Sequence, residues 1–266
     1  MKIRFLVVGL AICVSVAAQA AEPLTESTFT EIIKQASVVA ASDKAVTPAV
    51  AHEIFRAPDM VRTGPNSRLE MTAPDKTITR VGENSVFTFE PGERNIRMEK
   101  GSVLFHPPAG VGGGTVKYGG TSAAVLGTTM VCAIGPNGDF NVIVLEGEAL
   151  VTLANGKSVQ VGPGQTVNVS SSGDSFGSVM DVHLGQLASH LLLLRGFSDT
   201  LSSMPLIEAA IQQQNADIAA GKVFNFASSQ MVGDGLELIL NQNGNLLSSD
   251  ILNTLDNTAV FLSPVQ

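Results

Sequence analysis

The chain has 266 residues, 44% of them hydrophobic and 15% charged, with a formal net charge of −8. That length gives one to two domains and room for a sizeable core. The acidic balance repels phosphate backbones and anionic lipid heads, which argues against nucleic acid and membrane surface as partners.

Lys2 and Arg4 precede an apolar run from Phe5 to Val16, and small residues follow as far as Ala18-Gln19-Ala20. This is the three-part layout of a secretory signal peptide, with cleavage expected after Ala20. The run is shorter than the ~20 residues of a membrane span. Ile12 stands before Cys13 inside the run, which argues against a lipidated cysteine. The mature chain is expected to be periplasmic or secreted. It would lose Lys2 and Arg4 from the total of −8, leaving −10. Cys132 is then its one cysteine, so no internal disulfide can form. The string Met130–Ile134 around it reads as buried core.

Residues 22–60 are ambiguous. Phe29–Ile33 and Ala36–Ala40 suit either strands or one helix, and the valines and isoleucines tilt the reading toward strands. From Gly64 to Gly173 the chain carries 18 of its 26 glycines. Turn signals there include Pro91-Gly92, Asn137-Gly138 and Asn155-Gly156, and the last predicts a hairpin. Between the turns the period is two. Phe87 and Phe89 oppose Thr88 and Glu90, Ile96 and Met98 alternate with Arg97 and Glu99, and Val167 and Val169 alternate with Asn168 and Ser170. Val142–Leu145 is apolar on both faces, which predicts a central strand. The segment predicts a mainly β fold of many short strands, with sandwich, roll and solenoid all open.

After Asp174 glycine thins out. The spacing predicts a helix over Val182–Arg195, with Leu184, Leu187, Leu191 and Leu194 on one stripe. A second helix is expected to be capped by Ser202 or Ser203, with Pro205 in its first turn and Gly221 near its end. Leu236–Leu240 suggests a short strand and Ile251–Phe261 a last helix. The expected organisation is a signal peptide at 1–20, a β domain at 21–174 and a helical C-terminal region at 175–266.

No catalytic motif emerges. Gly110–Gly114 lacks the Gly-Lys-Ser/Thr ending of a phosphate loop, and Asn155–Ser158 lacks its first glycine. His52, His106, His183 and His190 have no spacing that completes a metal site. His106-Pro107-Pro108 reads as a strand end. Glu146 is the one carboxylate that stands out, and its ordinary reading is a solvated strand end. No enzyme activity, cofactor or metal is expected.

Six short pieces recur in a fixed order: Thr63-Gly64 with Ser67-Arg68, Arg80-x-Gly82-x-x-Ser85, Gly101, Gly127-Thr128, Leu145-Glu146-Gly147 and Gly164-Gln165. In order and spacing they resemble the FecR domain family, over about residues 36–172. The resemblance implies scaffold roles for these residues. Gly64 and Gly82 are expected at turns with positive φ, and Gly127 at a close approach of two backbones. Arg68 and Arg80 are expected to pair with acidic neighbours. Members of the family are known as envelope regulators that join a cytoplasmic anti-sigma segment to a periplasmic domain. Only four residues precede the apolar run here, so sigma control is not expected of this chain. The resemblance implies an exported, non-catalytic module for envelope protein–protein contact or signalling. A structural cell-surface or matrix protein, associated with polysaccharide, is the alternative.

Overall fold

The computed structural model describes residues 22–227, 229–233 and 236–239. The expected signal peptide and the helix expected at Ile251–Phe261 lie outside these residues. Residues 22–60 form strands joined by turns, with no helix: β1 (Glu26–Ile33), β2 (Ala36–Val39), β3 (Val46–Pro48) and β4 (Ile54–Arg56). The glycine-rich stretch continues with β5 (Met60–Thr63), β6 (Arg68–Thr72), β7 (Ile78–Val81), β8 (Val86–Phe89), β9 (Asn95–Lys100) and β10 (Ser102–His106). Next come β11 (Gly114–Tyr118), β12 (Thr121–Val125), β13 (Thr129–Ile134), β14 (Phe140–Glu146) and β15 (Ala149–Thr152). The series closes with β16 (Ser158–Val161), β17 (Gln165–Val169) and β18 (Met180–Asp181). The expected Asn155-Gly156 hairpin joins β15 to β16, with Gly156 at φ +83°.

These strands build two nine-stranded sheets. One runs β18-β17-β14-β13-β10-β7-β6-β1-β4, the other β16-β15-β12-β11-β9-β8-β5-β2-β3. The chain crosses between sheets after every one or two strands, so sequence order advances along both together. The architecture is a two-sheet sandwich through which the chain winds, with no closed barrel. Pairing is antiparallel except between β9 and β11. The inward face of each strand supplies the core, as the period-two pattern predicts. Phe29, Phe55, Phe87 and Phe89 form one aromatic cluster, with ring centroids 5.4–6.3 Å apart.

The helices lie on the outer face of the first sheet, called the covered sheet below. Leu104, Val131, Ile143 and Leu145 turn outward and pack against Leu187, Leu193 and Ile207. All seven residues of β14 are buried for this reason. The single helix expected over Val182–Arg195 is two short ones, α1 (Leu184–His190) and α2 (Leu192–Arg195). Leu191 between them is extended, at φ −69° and ψ 107°. The four stripe leucines are nonetheless buried. α3 (Met204–Ala219) begins after Ser203, carries Pro205 in its first turn, and is followed by Gly221 at φ +80°. β19 (Ser229–Gly233) pairs with β20 (Leu236–Ile239), where a short strand was expected. No described helix is long and apolar enough to cross a membrane.

Candidate interaction surface

The recurring Thr, Ser and Gly residues sit where the chain crosses between sheets, and they lock one crossing to the next. Ser67 Oγ accepts the Gln35 backbone N–H (3.1 Å) and donates to the Pro65 carbonyl (3.1 Å). Thr63 Oγ1 donates to the Gly82 carbonyl (2.6 Å) and accepts the Ser85 N–H (2.9 Å). Ser85 Oγ accepts the Ser102 N–H (2.9 Å). The backbone joins the same crossings, Gly64 N–H to the Gln35 carbonyl (3.0 Å) and Gly82 N–H to the Ser102 carbonyl (3.0 Å). Thr128 Oγ1 does likewise at another crossing, bonding both the N–H and the carbonyl of Glu148 (3.1 and 3.0 Å). Buried backbone groups at a crossing have no ladder partner, and a short hydroxyl supplies one without adding bulk.

The glycines of the pattern divide into two sets. Gly101, Gly127, Gly147 and Gly164 have positive φ. A Cβ would lie 2.1 Å from Ser85 Oγ at Gly101 and 2.9 Å from Ala109 Cα at Gly127. Gly64 and Gly82, expected to have positive φ, do not. Asn66 (φ 52°) and Asn84 (φ 50°) take the left-handed positions of those turns. Asparagine tolerates that region because its side chain can bond locally. Gln165 Oε1 accepts the Gly162 N–H (3.0 Å) and holds the crossing into β17.

Arg80 has another role. It is fully buried, 2.7 Å from Glu70 through Nε. Its other N–H groups donate to the carbonyls of Leu193 (3.2 Å), Leu194 (3.0 Å) and Asp199 (2.7 Å). The Phe197 ring lies 4.5 Å from the guanidinium. A four-residue helix leaves its carbonyls unpaired, and this arginine satisfies two of them. Arg68, expected to pair with a carboxylate, forms no ion pair among the described residues. Its Nε is buried without a partner, and its guanidinium packs where a Cβ on Gly196 would stand.

Glu146, read from sequence as a solvated strand end, is 5% exposed and belongs to a second buried cluster. Thr129 Oγ1 lies 2.6 Å from Glu146 Oε1, 3.0 Å from His106 Nδ1 and 2.7 Å from Ser203 Oγ. Burial pushes the Glu146 carboxyl up and the His106 imidazole down, toward the neutral form of each. Burial likewise pushes the Cys132 thiol up. Sequence reasoning missed His106, Thr129 and Ser203 as a group. Ser203 reaches Thr129 across 74 residues of chain, and no local pattern signals such a contact.

The second sheet keeps its outer face open among the described residues. Its outward positions, such as Arg62, Arg97 and Leu150, are exposed. Two concavities lie on it. One, of about 800 Å³, borders Leu126 and Leu150, which are 80% and 48% exposed. The other, of about 540 Å³, lies over β2, β3 and β5. The candidate site is this open face. No group of three or more metal-ligating side chains occurs among the described residues.

Residues 59–150 match the family model described as FecR protein. A search of curated proteins found no match. Two solved structures from Parabacteroides distasonis ATCC 8503, both described provisionally as anti-sigma factors, are similar in part. One is 18% identical with a TM-score of 0.40, covering 46% of this chain and 59% of that one. The other is 14% identical with a TM-score of 0.41, covering 61% of this chain and 91% of that one. The family match begins just before β5 and takes in the crossings locked by Thr63, Ser85 and Thr128, the buried Arg80–Glu70 pair and Glu146: residues 59–150 of the chain are similar to the FecR protein family.

Proposed function

We propose that this chain is an exported, non-catalytic FecR-type module that acts in envelope signalling by binding another protein on its open sheet. The FecR match supports a signalling or regulatory role. The observation that carries the reading is the asymmetry of the sandwich. Helices bury one outer face, and the other is uncovered among the described residues and carries two concavities. The cluster of His106, Glu146 and Ser203 is 6%, 5% and 1% exposed. Groups so placed tie the helical region to the sheet, which supports a structural role for them. The N-terminal layout of Lys2, Arg4, the apolar run and Ala18-Gln19-Ala20 supports export.

The test is a pull-down with the mature chain from envelope extract, read by mass spectrometry, together with N-terminal sequencing of the native protein. Recovery of one or a few envelope proteins at fixed ratio, and a native N-terminus at Ala21, are the expected results. Recovery of itself alone would overturn the binding reading, and a native chain retaining residues 1–20 would overturn export.

A further inference from the structure

The smaller concavity differs from the larger in one respect: its cations are unspent. Lys34 and Arg62 both line it and both are exposed. The arginines and lysines that form ion pairs among the described residues are Arg56, Arg80, Arg94, Arg97, Lys117 and Lys222. Lys34 and Arg62 are not among them. Glu83, on the neighbouring crossing, is engaged by the Asn66 backbone N–H. In the larger concavity Arg94 is turned inward, bonded to Asp75, Thr77 and the carbonyls of Glu22 and Gly113.

Strand register explains how the site is built. Ser37 of β2 stands directly opposite Arg62 of β5 on one side and Pro48 of β3 on the other. Directly opposed residues share a face with their Cβ atoms ~5 Å apart. The row Pro48–Ser37–Arg62 therefore crosses three strands on the outer side of the open sheet. Lys34, in the turn before β2, closes one end, and Val46, 61% exposed, adds an apolar wall. Two cations, a hydroxyl and a small apolar wall thus share one hollow on a protein of net charge −8.

We propose that this hollow binds an acidic segment of a partner polypeptide, one carboxylate between Lys34 and Arg62 and a neighbouring aliphatic side chain against Val46 and Pro48. The acidic body of the protein repels long polyanions and anionic membranes, whereas a short acidic peptide meets only the local field. Pro48 lacks an N–H, so β3 is a poor template for strand addition. Recognition then falls to side chains. The inference rests on the binding-module reading and names the surface it uses.

The test uses the full mature protein, isotope-labelled, titrated at neutral pH and low salt. The probe is an acetylated, amidated peptide of alternating glutamate and leucine, with its lysine–leucine counterpart as control. Expected are saturable amide shifts centred on Gln35, Ser37 and Gly64, weakening as salt rises, and none with the lysine peptide. The pair Lys34→Glu and Arg62→Glu should weaken binding at least ~10-fold. Both residues are exposed, so the variant should melt like the native protein. Shifts centred elsewhere, unchanged affinity in the variant, or equal shifts from acetate alone would overturn the proposal. An envelope protein captured equally by native and variant chains would sink this site and leave the module reading standing. Peptide binding here without any captured protein would do the reverse.

Discussion

Arg80 shows what a single residue does in this fold. Its pairing with an acidic neighbour was expected from the FecR resemblance, and the partner is Glu70, directly opposite it on β6. Its bonds to the carbonyls of Leu193, Leu194 and Asp199 were not, since no periodicity links residues so far apart. Replacing Arg80 with methionine keeps the stem but leaves Glu70 buried and unpaired. The expected loss is about 3–5 kcal/mol, read as a lower urea midpoint. Gly127→Val should cost about 2 kcal/mol or more, because φ is +64° and Ala109 stands in the way of a Cβ. His106 carries a pH dependence. Burial depresses its folded pKa, so the folded state prefers the neutral ring. The stability it contributes is present above the unfolded value near ~6.5 and is lost as pH falls through that region. Glu146 has the opposite sign. Its carboxyl is raised by burial, so its protonation favours the folded state at lower pH. His106→Gln should flatten the loss of stability between neutral and mildly acid pH, measured by denaturant midpoints across that range.

At the scale of elements, hairpins and strands were legible because each strand's pattern is set by one dry face and one wet face. Phe87 and Phe89 are buried side by side, while Arg97 and Glu99 face water. The helix over 182–195 was legible in its leucines but not in its break at Leu191. The stripe records which side chains are buried, and it does not record that the chain turns to bring two carbonyls onto Arg80. Ser202 or Ser203 was expected as a cap, and Ser203 does take the N-cap position, yet no side-chain capping bond forms there. Its hydroxyl instead accepts from Thr129 of the covered sheet. The sheet–helix layer should behave as true core. Ile143→Ala and Ile207→Ala are each expected to cost about 2–5 kcal/mol, measured by thermal or urea unfolding.

At the scale of the molecule, two apolar layers share the covered sheet. One lies between the sheets and the other under the helices. Strands such as β10, β13 and β14 contribute to both, so neither layer can melt alone without exposing the other. We expect one cooperative transition, with the slowest amide exchange in β10, β13 and β14 and with the helical signal lost at the same midpoint as the strand signal. Separate transitions for helices and strands would show that 175–227 folds independently.

The sequence by itself determined the β character, the turn positions, the presence of a helical region after 174 and the FecR pattern. The first three follow from local preference or from short-range alternation, which a single chain segment expresses alone, whereas the FecR pattern is a resemblance carried by six pieces spread along the chain. Only the tertiary structure decided that two sheets stack face to face, that helices seal one of them, and that Glu146 is buried with His106 and Ser203. It also placed Lys34 and Arg62 together on the open side, without an ion pair among the described residues. Those outcomes depend on contacts between residues tens of positions apart. Such contacts are chosen by which faces can bury apolar surface and satisfy polar groups at once, a condition that no local stretch of sequence records.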